Sequence, residues 1–156
     1  MIDVNSLYRT SSDMLMQARY LKSQISQKEF ELKLADIKSQ YYTDNMSSLQ
    51  MMVLRKNNIK NEISILTNNM NTHIINAIEA AMQLANIELK SHTVFSMAFI
   101  AISSITSFLN LENIYQLSLP FHLQMFISNL YTQNISSENS LLINELRNLK
   151  SLCHIP

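Results

Sequence analysis

The sequence predicts an all-α chain. It reads as a long antiparallel helical hairpin of coiled-coil type, followed by an apolar central helix and two shorter C-terminal helices in one bundle. Three observations carry this. The 156 residues contain no glycine, where usage of about 7% is ordinary. The only prolines are Pro120 and Pro156, so no helix breaker stands in the first three quarters of the chain. Apolar residues recur at steps of three and four, the period of one helix face. Tight β-hairpins draw on Asn-Gly, Asp-Gly or Gly-X turns, and this chain offers none of them.

Residues 1–9 read as a loose lead-in. Thr10-Ser11-Ser12-Asp13 supplies capping oxygens, so the first helix is expected over 11–42. Met14, Ala18, Leu21, Ile25, Leu32 and Ala35 form a coiled-coil seam interrupted by Lys28. A second stripe, Phe30, Leu34, Ile37 and Tyr41, runs beside it. The apolar face then shifts after Ile25, as for a helix that meets one neighbour early and another later. Tyr41 to Asn45 is the expected reversal, with Thr43 or Asp44 capping the second helix. That helix, about 46–90, keeps helical spacing from Leu49 to Leu84 and reads as one long element, with a bend or a break into two helices at the Asn-rich stretch 67–72 as the alternative.

Ser91–Leu111 carries no formal charge if His92 is neutral, and it reads as a single central helix. Thr93, Ser96, Ser103, Ser107 and Asn110 share a narrow polar side, while Phe95, Phe99, Ile102, Ile105 and Leu109 lie opposite. The stretch meets the length of roughly 20 residues that a bilayer span needs. Nine of its 21 residues are polar, however, and it lacks Trp and a positive flank. Burial in a protein core or interface is the favoured reading, and membrane insertion the alternative. Residues 113–120 are the expected connection. Phe121–Thr132 presents Leu123, Phe126, Ile127 and Leu130. The last helix, capped from Asn134, Ser136 or Ser137, repeats Leu142, Leu146, Leu149 and Cys153, with His154-Ile155-Pro156 frayed beyond it.

The length suits one domain, 1–156, with the hairpin at 11–90 and a charge-poor region at 91–156. Of 24 Asp, Glu, Lys and Arg residues, 19 precede Ser91. The net charge is zero, which points to no nucleic-acid partner. Without glycine there is no P-loop, no GxGxxG and no nucleophile elbow. The four histidines show no HExxH or paired i,i+4 spacing, and Cys153 stands alone. No catalytic residue, metal or cofactor is expected. Arg55, Lys56 and Lys60 read as a solvated helix face, and the ten Met as core filling. The N-terminus is not a cleavable signal peptide, so a cytoplasmic start is expected, with export by a signal-less route compatible.

These features lead to a non-enzymatic interaction or assembly protein. Its layout resembles, in general style only, the chaperones, adaptors and structural subunits of bacterial secretion-type machines. The expected surface is Phe95, Phe99, Ile102, Ile105, Leu109, Phe126, Leu130, Leu142, Leu146 and Leu149, meeting a client protein or further copies in a homo-oligomer. The alternative is a membrane-inserting protein, in the layout of helical pore-formers and translocators, using 91–111.

Overall fold

The computed structural model describes residues 3–41, 46–91 and 95–156. Among these residues there are five helices, α1 (Val4–Ser39), α2 (Met46–Ser91), α3 (Met97–Leu111), α4 (Phe121–Gln133) and α5 (Ser140–Leu152). No strand occurs among the described residues. The all-α class and the close packing of two long N-terminal helices are as the sequence predicts. The residues expected to cap α2, Thr43 and Asp44, lie outside the described ones, as do His92 and Thr93 of the charge-free stretch.

Helix α1 begins at Val4, well before the expected start at Ser11. Asp3 opens it, its backbone carbonyl accepting from Leu7 N–H at 3.1 Å and its carboxylate from Asn5 N–H at 3.2 Å. Leu7 is buried, so the first turns are held by packing as well. Ser11, expected near the cap, instead sits mid-helix, buried, and donates to the Ala77 carbonyl at 2.9 Å. Helix α2 is one element through the Asn-rich stretch. There the Thr67 and Thr72 hydroxyls bond the carbonyls four residues back, a local pairing that serves these residues without ending the helix.

Two compact units divide the chain, and the division crosses both long helices instead of separating hairpin from C-terminal region. One comprises α1 through Met16 together with His73–Pro156; the other is Gln17–Thr72. In the first, the second half of α2 is the most enclosed helix. Ile74, Ala77, Ile78, Ala81, Met82, Leu84 and Ala85 are all fully buried. Alanine on several sides lets neighbouring helices approach closely. Helix α3 packs on α5, and α4 on α5, closing over Ile102, Ile105, Leu109, Leu142, Leu146 and Leu149.

The charge-free stretch is not one helix. Helix α2 runs on to Ser91, and α3 starts only at Met97. Glu88, itself buried, forces the new start: its carboxylate accepts from Ser96 Oγ at 2.8 Å, Met97 N–H at 2.9 Å and Ala98 N–H at 3.1 Å. Ser96 Oγ in turn accepts from Phe99 N–H at 3.0 Å. An anion on the positive end of α3 satisfies donors that a helix start otherwise leaves open.

Without glycine, the C-termini use other residues for the left-handed position. Asn113 (φ 54°) closes α3 and His154 (φ 56°) closes α5. In each the following amide reaches back five residues, Ile114 N–H to Leu109 and Ile155 N–H to Lys150, both at 2.9 Å. This is the Schellman pattern. The last residues are therefore ordered and not frayed: Ile155 is buried, and His154 Nε2 lies 2.8 Å from the Tyr115 carbonyl, to which it donates. Asn139 caps α5, accepting from Leu142 N–H, in place of the Asn134, Ser136 or Ser137 that the sequence suggests.

Candidate interaction surface

The unit Gln17–Thr72 is an antiparallel helix pair built on one unbroken row. Ala18, Leu21, Ile25, Lys28, Leu32, Ala35 and Ser39 alternate steps of three and four along α1, each buried or half-buried. Leu49, Met52, Lys56, Ile59, Ile63, Leu66 and Met70 do the same on α2. Lys28 therefore continues the seam instead of interrupting it. Its ammonium meets Glu62 at 2.7 Å and Glu31 at 3.5 Å. The hydrogen bond it donates to Glu62 is the main reason its pKa lies above the usual lysine value, with Glu31 adding to it. Lys56 likewise pairs with Asp36 at 2.8 Å. These two pairs follow the antiparallel course of the helices, since the partner of Asp36, further along α1, lies further back on α2 than the partner of Lys28. Of the basic group on α2, Lys56 thus belongs to the seam while Arg55 and Lys60 are exposed.

The inner row does not shift after Ile25, contrary to the sequence expectation. The second stripe is an additional face. Phe30 (61% exposed), Leu34 (40%), Ile37 (51%) and Tyr41 (81%) point away from α2. Phe30, Leu34 and Ile37 lie two positions on from the inner row, on the opposite side of α1, and Tyr41 follows in the turn that ends it. Tyr20, also exposed, belongs to the same spacing, with Ser23 and Gln27 between. Within the unit Gln17–Thr72, α1 thus carries two opposed apolar rows, one packed on α2 and one exposed among the described residues.

The ten residues expected to form the surface divide differently. Ile102, Ile105, Leu109, Leu130, Leu142, Leu146 and Leu149 are buried by the chain itself. Phe99 and Phe126 are half-buried, and Phe95 is exposed in the bend before α3. Spacing showed these residues to be apolar faces. It held no information on whether the covering element was in the chain or outside it. The exposed methionines, Met16, Met46, Met51 and Met125, also depart from a core-filling role.

The polar side of α3 meets α5. A groove of about 390 Å³ is lined by Ser103, Ser107, Asn110, Glu145, Asn148 and Ser151 among others. Thr106 Oγ1 donates to Glu145 at 3.0 Å across it, and Asn148 Nδ2 donates to the same carboxylate at 3.5 Å. One hydroxyl of α3, that of Thr106, is thus used for helix–helix hydrogen bonding. No described helix is long and apolar enough to cross a membrane. Among the described residues, no three His, Cys, Asp or Glu come together as metal ligands would. Cys153 is buried, and burial pushes its thiol pKa from 9.0 up to about 11, which leaves it protonated and a poor nucleophile.

Comparison with protein-family models, with curated proteins and with solved structures found no match.

Proposed function

We propose that this chain is a helical interaction protein without enzymatic activity, acting as an assembly subunit, adaptor or chaperone, and that the outer row of α1 is its principal contact surface. One observation carries the reading: Phe30, Leu34 and Ile37 form an exposed row at coiled-coil spacing on α1, whose other side is already packed, and exposed Tyr41 follows in the turn that ends the helix. Scattered exposed apolar residues need no explanation, but a contiguous row does. Covering the exposed part of these side chains is worth on the order of 2–3 kcal/mol each. A secretion-type machine is one setting in which a subunit of this build works.

The test is a photo-crosslinking amino acid placed at Phe30 or Ile37 and, as controls, at the exposed polar positions Ser26 and Lys60. Discrete adducts from the row positions alone support the reading. A folded protein that gives no adduct at either row position removes it.

A further inference from the structure

Resting on that reading, we infer that the outer row of α1 is covered by the same row of a second copy of this chain, the two helices running antiparallel about a twofold axis between Leu34 and Ile37. The row is self-complementary in that arrangement. Leu34 meets Ile37 of the second copy, and Phe30 meets the end of its α1 where the turn carries Tyr41, so the two aliphatic layers lie at the centre and the aromatic side chains outside. A C2 contact requires this reciprocity, since each patch must fit itself.

Charge selects the direction. Glu31 and Lys38 flank the row on one edge and Lys33 on the other. Antiparallel helices bring like edges together. Glu31 then faces Lys38 of the second copy, twice by symmetry, and Lys33 faces no like charge. Parallel helices bring unlike edges together and set Lys33 against Lys38 of the second copy, a like-charge contact on each side of the seam.

Area sets the strength. An aromatic side chain carries about 150–250 Å², so Phe30, Leu34, Ile37 and Tyr41, at their exposures, leave roughly 400–450 Å² open per copy. A standard interface buries about 800 Å² per partner. The row and the stems of its three flanking residues therefore make a modest dimer, in equilibrium with monomer. The unit itself gives a reason for cover: its buried apolar residues are only Ala18, Ile25, Ala35, Ile59 and Met70 among those described, and a two-helix pair needs more than that to be rigid alone.

Sedimentation of the full chain between about 1 and 200 µM tests this. A monomer–dimer equilibrium with Kd of about 1–50 µM is expected. Leu34→Glu with Ile37→Glu abolishes it while circular dichroism stays helical. Glu31→Lys and Lys38→Glu each weaken the dimer about fivefold to tenfold, and the two together in one chain restore it. The proposal is overturned by a strictly monomeric wild-type chain, by a dimer indifferent to the row, or by a double exchange that fails to restore association. A monomeric chain that still gives row-specific adducts with another protein overturns self-pairing and leaves the interaction reading standing. A chain giving neither removes both.

Discussion

Glu88 ties the end of α2 to the start of α3. It is 4% exposed and holds three donors at the start of α3. Glu88→Ala leaves two backbone amides without that acceptor in a closed site, and a destabilisation of about 2–4 kcal/mol is expected in urea unfolding. Glu88→Gln keeps an acceptor but loses the charge at the helix end, so a loss of only about 1 kcal/mol is expected. Equal losses for both would show that the bond geometry contributes little. Cys153 makes a pH prediction. Because burial raises its pKa in the folded state from 9.0 to about 11, its contribution to stability is complete below pH 9. It is lost as pH rises from there through about 11, where the unfolded chain ionises first. The wild type should lose on the order of 2 kcal/mol more than Cys153→Ala over that window. Parallel pH curves for the two would contradict it.

At the scale of elements, the periodicity in the sequence located all five helices but could not assign what each face touches. The α1 inner row was legible except at Lys28, where hydropathy alone reads a charge as a break. The ion pair to Glu62 on α2 is a tertiary partner that no local pattern contains. Replacing this half-exposed lysine by Lys28→Leu should complete the apolar seam and leave Glu62 in water, so thermal unfolding should shift up by a few degrees. A lower midpoint would mean that the pair, not the seam, holds the hairpin there. The split of 91–111 was hidden for the same reason. Ser96 as a cap is visible in the sequence, but its decisive partner Glu88 lies on the preceding helix, outside the stretch read as one element. The left-handed roles of Asn113 and His154 are likewise choices forced by a chain with no glycine.

For the whole molecule, charge poverty after residue 90 reads as a demand for an outside cover, yet most of those apolar residues are sheltered within the chain. The exposed row lies instead in the charged N-terminal half, where Glu and Lys around it disguise it as a solvated surface. Its function depends on whether a second copy covers it in the antiparallel sense. The direct measurement is pulsed electron paramagnetic resonance on a spin label at the exposed Ser23, introduced as Ser23→Cys with Cys153→Ala. An antiparallel pair centred between Leu34 and Ile37 places the two labels about 40 Å apart, from the rise per residue and the spacing of packed helices. An absent interchain signal at dimer-forming concentration, or a separation of about 10–15 Å as parallel helices give, would contradict the account.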